Sequence, residues 1–387
     1  MATNAIPFTL WGIQHSLFTG KARSYLIKKG VPYREVCPSN LQFQARIVPT
    51  VKSLVVPVLE TPEGEIIQDT TDIIDHLEAH FGALQMEPET PVQRAVSMLL
   101  DAFGSQYMIP LAMHYRWSYR AEQEDFLRAE FGRILHAGPD RQAQSEAGRQ
   151  LMDYFNGFLP PLGVTAETIP AMEASYLALI DALDIHFQAH PYLLGGRPSI
   201  GDFGLMAPLF AHLGRDPVPA SLMKNKAPNL YRWTERMNMP AIADGEFAGY
   251  PETYPADDAI PETLEAVLKL VFADWTAGLL ADAACYNDWL KNYADLPAGH
   301  LVSADGSRKV HPTLGTIEYS WHGITMRRMS APHGLWHFDR AAGYARGLSG
   351  AARGRLDALL ARTGGAEAMA LTLARPMTRK DYALVLA

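Results

Sequence analysis

Hydrophobic and polar positions in the first 81 residues follow the period of strands in some segments and of helices in others. Four short segments have the composition of strands: residues 8–13, 33–37, 55–59 and 65–67. A helix is predicted over residues 17–29, where Gly30 ends it. A second helix is predicted to begin at Asp69, because one apolar face follows that residue. The residues of that face are Ile73, Ile74, Leu77 and Phe81.

The order of these elements is strand, helix, strand, hairpin and helix, which is the thioredoxin-like arrangement. Turn residues 61–64 connect the two hairpin strands. Pro57 stands near the beginning of the first of them, where a residue without an N–H group is tolerated. The pattern therefore predicts an α/β thioredoxin-like N-terminal domain over residues 1–86.

The pattern becomes helical after a charged, proline-rich linker, residues 87–91. A long helix is predicted over residues 92–119, with a bend before Pro110. Further along, Ser199 and Asp202 have the spacing of a capping box at the start of a buried helix. An all-α domain is therefore predicted from residue 87 to residue 245.

Residues 246–387 form a C-terminal extension that is predicted to be mainly helical. A helix from residue 262 has a sustained apolar face, a strand pair is expected within residues 315–338, and helices are expected over residues 339–363. The apolar faces, which include Trp275, exceed what a monomer leaves exposed. The extension is therefore expected to pack against the helical domain.

Composition and charge argue against several classes of function. Hydrophobic residues make up 48% and charged residues 20% of the 387 positions, as in soluble globular proteins. The formal net charge of -8 argues against a partner made of nucleic acid. No secretory signal is expected, and charged residues interrupt the most apolar later stretch, 264–284, which argues against a membrane partner. Two cysteines, Cys37 and Cys285, suggest no disulfide framework, so a cytoplasmic location is expected.

The predicted hairpin and the helix after it offer a site for a small acidic peptide. An extended peptide can pair with the backbone of Val56 beside Pro57. A carboxylate can rest on the start of the helix that Asp69 and Thr70 open. An ordinary hairpin followed by a helix would account for the same residues without any ligand.

Residues 49–81 resemble the second half of the glutathione-binding domain of glutathione transferases. The resemblance rests on the hairpin, on Val56-Pro57, and on Asp69-Thr70, which stands where the family more often has Glu-Ser. In that family the proline is cis, the residue before it pairs with the cysteinyl backbone of glutathione, and the acidic–hydroxyl pair holds the γ-glutamyl end. The resemblance implies that these four residues bind glutathione as a cosubstrate.

The first predicted helix also resembles the family, in its serine-type branch. Ser16 precedes Lys21, Ala22 and Arg23 with the family's spacing, although Leu17 replaces a proline that is often found there. The resemblance extends from about residue 8 to 240, and long C-terminal regions like this one occur in uncharacterised bacterial transferase-like proteins.

Ser16 is the predicted catalytic residue. Only a few per cent of a free thiol is ionised at neutral pH, so a transferase must stabilise the thiolate of glutathione. The Ser16 hydroxyl would donate a hydrogen bond to that thiolate rather than act as a nucleophile. The alternative is that Ser16 only caps the helix, and His15 and Thr19 are rival donors.

The resemblance places a pocket for the second substrate along the helix that contains Tyr107, Met108 and Tyr115. Together with His15, these residues are predicted to line a pocket for a small hydrophobic electrophile. Aromatic residues at helical spacing are equally typical of an ordinary core, so both interpretations stay open.

Three functional hypotheses follow. The first is a glutathione transferase that attacks an electrophile, as in detoxification, and that forms a homodimer unless the extension covers the pairing surface. The second is a transferase fold used as a non-catalytic binding or scaffold protein. The third is glutathione-dependent lyase or isomerase chemistry at the same site. No metal is expected: His333 and His337 have helical spacing, but Pro332 and Gly334 argue against a helix there.

Overall fold

A four-stranded sheet organises the N-terminal part of the chain in the computed structural model, which describes residues 7–82, 84–136, 138–293 and 295–387. The first six residues and Ala83 of the predicted first domain, Ala137 of the second and Ala294 of the third lie outside the described residues. The strands are β1 (Phe8–Trp11), β2 (Tyr33–Val36), β3 (Val58–Glu60) and β4 (Ile66–Gln68).

The sheet has the order β2-β1-β3-β4, in which β1 and β2 are parallel and β3 is antiparallel to both of its neighbours. Three helices complete this part: α1 (Leu17–Lys29), α2 (Val48–Val51) and α3 (Thr70–His80). Helix α1 ends at Gly30, whose φ of 69° lies in the left-handed region that glycine adopts without strain. The predicted thioredoxin-like domain is confirmed.

Eight helices follow among the described residues: α4 (Pro91–Ala102), α5 (Ile109–Trp117), α6 (Glu124–Leu135), α7 (Arg141–Asn156), α8 (Ile169–Ala189), α9 (Ile200–Ala211), α10 (Pro217–Lys226) and α11 (Pro228–Met237). The predicted helix over residues 92–119 is divided into α4 and α5 by a π-helical turn, Phe103–Tyr107. The capping box is present, because the Asp202 carboxylate accepts hydrogen bonds from the backbone N–H and the hydroxyl of Ser199. The predicted all-α architecture is confirmed.

The extension contains four helices and four strands among its described residues. They are α12 (Glu262–Asn292), β5 (Thr316–Trp321), β6 (Ile324–Met329), α13 (Pro332–Arg346), α14 (Gly350–Thr363), α15 (Ala366–Met369), β7 (Met377–Lys380) and β8 (Ala383–Leu386). Helix α12 packs against α8 and α13 packs against α4, and buried side chains of all three regions join one continuous hydrophobic core. None of the helices described here has the length and apolar character needed to cross a bilayer.

One prediction for the extension needs correction, and one element of the extension was not predicted. Helix α13 includes His333 and His337, whereas Pro332 and Gly334 argue against a helix there in the sequence. Pro332 occupies the first turn, where its missing N–H group would have no intrahelical partner in any case. The element that the sequence pattern did not predict is the antiparallel hairpin of β7 and β8.

Candidate functional site

Three segments meet at one edge of the four-stranded sheet. Trp11 at the end of β1 lies opposite Val58 at the start of β3, and Val58 lies opposite Gln68 at the end of β4. The residues just beyond these positions therefore emerge side by side. They are the loop that leads to Ser16, the Val56-Pro57 segment, and the Asp69-Thr70 pair. The sheet register thus brings together the residues of the predicted glutathione site.

Ser16 is the N-cap of α1. Its Oγ accepts a hydrogen bond from the backbone N–H of Thr19 at 3.3 Å, and the side chain is half-buried. The accepted bond uses a lone pair and leaves the hydroxyl proton for another acceptor. Ser16 therefore caps the helix, and this capping is compatible with a donor role.

The two rival donors are enclosed by protein. Thr19 is completely buried. The ring of His15 is 3% exposed and lies against Phe131 of α6, with a centroid separation of 4.4 Å. Burial lowers the pKa of His15 to about 4, and the nearby Arg116 charge acts in the same direction. The neutral, enclosed imidazole belongs to the interior of the helical region.

The peptide bond between Val56 and Pro57 is cis, as predicted. Val56 is half-buried, and its backbone makes no hydrogen bond to any residue that the structure describes. An extended peptide can therefore pair with these groups.

Asp69 and Thr70 open helix α3. Asp69 Oδ1 accepts a hydrogen bond from the backbone N–H of Thr71 at 2.8 Å, which makes Asp69 the N-cap. Asp69 has φ 86°, a value that non-glycine residues rarely adopt, and such strained residues often occur at ligand sites. Thr70 is buried at the first helical position, next to the positive end of the helix.

Comparison with protein families agrees with this arrangement. Residues 10–88 match the model of the glutathione S-transferase N-terminal domain, and residues 140–239 match the model of its C-terminal domain. Both domains of the glutathione transferase superfamily are therefore present in this chain. No curated protein matches it.

Solved structures include glutathione transferases similar to this one. A transferase from Rhodospirillum rubrum is 17% identical, with a TM-score of 0.36, and the match covers 66% of this chain and 97% of that one. A transferase from Methylobacterium radiotolerans in complex with glutathione sulfonate is 19% identical, with a TM-score of 0.36, over 66% of this chain and 100% of that one. The beta-etherase LigF from Sphingobium is 18% identical, with a TM-score of 0.39, over 62% and 99%. At such identities and TM-scores, no activity is inferred for this chain from these structures.

The C-terminal extension of the chain reaches the start of α3. His333 Nε2 lies 2.9 Å from Asp69 Oδ2, and Arg379 Nη1 lies 3.5 Å from the same oxygen. Tyr382, in the turn between β7 and β8, donates a hydrogen bond to the carbonyl oxygen of Ile66. Burial alone would raise the pKa of Asp69, but the charges of His333 and Arg379 outweigh it and hold that pKa well below its usual range.

The predicted pocket residues are mostly enclosed. Met108 and Tyr115 are 1% and 3% exposed and belong to the core, as the alternative interpretation stated. Tyr107 is half-buried and packs on Phe103 and on Trp275 of α12. In this structure the region next to α5 is thus filled by aromatic side chains, one of which comes from the extension.

The sequence reasoning missed the residues that hold the site in place. Arg116 on α5 is buried, donates to the carbonyl oxygen of His15 at 2.9 Å, and pairs with Asp216 at 2.6 and 2.8 Å. This bidentate pair fixes the loop immediately before Ser16. No local pattern marks Arg116, because its partners come from distant segments.

Among the described residues, no group of three or more His, Cys, Asp or Glu side chains is arranged to hold a metal ion. His333 and His337 lie on one helix, but their Nε2 atoms face different carboxylates, those of Asp69 and Asp101.

Proposed function

We propose that this transferase binds reduced glutathione, activates it as a thiolate, and uses it to attack a small hydrophobic electrophile. The observation that carries the proposal is the register of β1, β3 and β4. It places the Ser16 hydroxyl, the free backbone of Val56 beside a cis proline, and the Asp69-Thr70 helix start at one sheet edge.

Each segment has a role in this proposal. The cysteinyl backbone of glutathione pairs with Val56, which Pro57 orients. The γ-glutamyl end lies at the start of α3, where Asp69 offers a negative charge and Thr70 a hydroxyl group. These contacts hold the peptide and leave its sulfur free to face the start of α1.

Ser16 supplies the activation. Its hydroxyl proton is available, since its oxygen already accepts the Thr19 N–H, and the start of α1 favours negative charge. A hydrogen bond to a thiolate is stronger than one to a thiol, so the interaction lowers the thiol pKa. Each unit of that shift corresponds to about 1.4 kcal/mol. The electrophile is assigned to Tyr107, the half-buried residue among the four predicted for the pocket, because His15, Met108 and Tyr115 are buried.

A non-catalytic scaffold is the second candidate, and a specific observation favours it. Asp69 is already paired with His333 and Arg379, so the chain itself satisfies the charge that a ligand would use. In that case the fold would serve as a binding module and glutathione would not bind.

The test is an ultraviolet absorbance titration of the glutathione thiol, free and bound, on wild type, Ser16→Ala and Ser16→Gly. Glycine is nearly as good an N-cap as serine, so the second variant removes the hydroxyl while largely preserving the helix start. We expect the wild type to lower the pKa of the bound thiol. In both variants this pKa should be about one to two units higher than in the wild type. That change reduces the thiolate fraction at neutral pH about 10- to 100-fold, while glutathione affinity stays nearly the same.

His15→Ala is the control for the rival donor and should titrate like the wild type. If the pKa of the bound thiol in both Ser16 variants equals the wild-type value, while His15→Ala raises it, the donor role belongs to His15. If calorimetry detects no glutathione binding to the wild type, or if binding leaves the thiol pKa unchanged, the scaffold function is favoured.

A further inference from the structure

Two basic side chains of the extension converge on the acidic residue of the proposed glutathione site. His333 of α13 and Arg379 of β7 both approach Asp69 Oδ2, at 2.9 and 3.5 Å. They come from separate elements of the extension and are far from Asp69 in sequence. The start of α3 is thus completed by residues outside the two family domains.

Arg379 is held rigidly but keeps one nitrogen available. Its Nε donates to Asp72 at 2.8 Å, and its Nη2 donates to the Gln68 side chain at 2.8 Å. Its guanidinium lies 5.9 Å from the centre of the Trp336 ring, and the side chain is 8% exposed. Nη1 makes no hydrogen bond to a described residue, and this atom is not fully buried. The fixed guanidinium therefore places Nη1, which is ion-paired with Asp69 but makes no hydrogen bond to a described residue, beside the start of α3.

The charges match those of the γ-glutamyl end of glutathione. That end carries an ammonium and a carboxylate on the same carbon atom. Asp69 alone can pair only with the ammonium, whereas Arg379 Nη1 provides a cation at 3.5 Å from the Asp69 oxygen. A neighbouring anion and cation at this spacing suit a zwitterionic α-amino acid group, and arginine binds carboxylates with well-defined geometry.

We propose that Arg379 of the extension binds the α-carboxylate of the γ-glutamyl residue while Asp69 binds its α-ammonium group. The extension is then part of the binding site and determines specificity for the zwitterionic end. This inference rests on the proposed function. The alternative is that Arg379 only neutralises the Asp69 carboxylate. In that case Arg379 would block the site and weaken ligand binding, whereas in this proposal it strengthens binding.

The experiment is isothermal titration calorimetry of the full-length wild type, Arg379→Met and Arg379→Lys. The ligands are glutathione and the analogue whose γ-glutamyl residue lacks the α-carboxylate. We expect Arg379→Met to weaken glutathione binding about 10- to 100-fold, as for loss of a charge-assisted hydrogen bond. The analogue should bind to the wild type and to Arg379→Met with affinities within about twofold. Arg379→Lys, which keeps the charge without the planar fork, should be intermediate.

Arg340→Met is the matched control. Arg340 also belongs to the extension, pairs with the α3 carboxylate of Asp75 at 2.7 Å, and lies 5.7 Å from the same Trp336 ring. It contacts α3 further along the helix from Asp69, so its loss should leave the affinity for glutathione unchanged within about twofold.

Several outcomes would overturn the inference. Tighter glutathione binding by Arg379→Met would show that Arg379 blocks the site, and equal losses for both ligands would show a structural role. An affinity for glutathione that Arg379→Met does not change would remove Arg379 from the site while the proposed function stands. If the wild type binds neither ligand, the proposed function itself fails, and this inference fails with it.

Discussion

Replacing Asp101 by asparagine should weaken the attachment of the extension more than any surface change. Asp101 on α4 accepts a hydrogen bond from Lys21 of α1 at 2.5 Å, and its other oxygen lies 3.0 Å from His337 Nε2 of α13. One carboxylate thus connects the thioredoxin-like domain, the helical domain and the extension. Burial alone would raise the pKa of Asp101, but Lys21 and His337 hold that pKa below its usual range.

The expected magnitude follows from burial. The side chains of Lys21 and Asp101 are 0% and 6% exposed. Solvent therefore cannot stabilise the Lys21 ammonium when the carboxylate charge is removed. Asparagine is almost isosteric and preserves the packing, but it leaves Lys21 with a neutral oxygen and with Ser105 Oγ at 3.0 Å. Removing one member of a buried ion pair costs about 3–5 kcal/mol. This is a large part of the roughly 5–15 kcal/mol that stabilises a folded protein.

The assay is chemical unfolding followed by fluorescence, together with hydrogen exchange of α13 in the native state. Asp75→Asn is the control, because Asp75 also links α3 to the extension through Arg340 but is 56% exposed. An exposed pair of this kind contributes at most about 1 kcal/mol. We expect Asp101→Asn to lower the unfolding midpoint strongly and to accelerate exchange in α13, whereas Asp75→Asn changes little. Equal, small effects of the two variants would refute the view that the buried carboxylate joins the three regions.

Two further predictions concern stability. Burial lowers the pKa of His15 to about 4 and that of His186 to about 3, so the unfolded chain, with histidine pKa values near 6.5, binds more protons between these values. The free energy of unfolding should therefore fall as the pH decreases from about 6.5 to about 4, by about 1.4 kcal/mol per pH unit for each such histidine. A denaturant midpoint that stays constant over that range would contradict this. Gly104→Ala should destabilise the protein by at least about 1–3 kcal/mol, because a Cβ there would lie 2.4 Å from the backbone of Gly204 on α9. Gly354→Ala, where a Cβ meets nothing within 4 Å, is the matched control and should be neutral or stabilising by up to about 1 kcal/mol in thermal unfolding.

Local chemistry was enough to predict much of the fold. The Ser199–Asp202 capping box involves groups three residues apart, so its spacing alone specifies the hydrogen bonds that the structure contains. The apolar face after residue 262 likewise predicts α12, since burial at a period of 3.6 residues needs no knowledge of the partner. The thioredoxin-like order of strands follows from similar short-range signals.

The elements that were missed lack such signals. The turn between β7 and β8 consists of Asp381 and Tyr382, both with positive φ, whereas a tight hairpin usually shows Asn-Gly or Asp-Gly there. The pattern predicts helix only from residue 339, because Pro332 and Gly334 disfavour an earlier start, yet proline is favoured in the first turn of a helix. In both cases tertiary contacts with the start of α3 and with α4 decide the local conformation.

The charged partners of the site are the part that no sequence pattern contains. Asp69 and Thr70 were identified because a helix start has a local signature, but the residues that face Asp69 lie in an extension that the family domains do not include. Their positions depend on how α13 and β7 fold back over α3, and that path is determined by the shared core and by buried pairs such as Asp101 with His337. In the proposed glutathione site, the residues assigned to the ligand's backbone follow from the local sequence, whereas the residues assigned to its charged end depend on long-range packing. For this reason the extension variants, rather than further changes at Ser16, will show whether residues beyond 245 take part in binding.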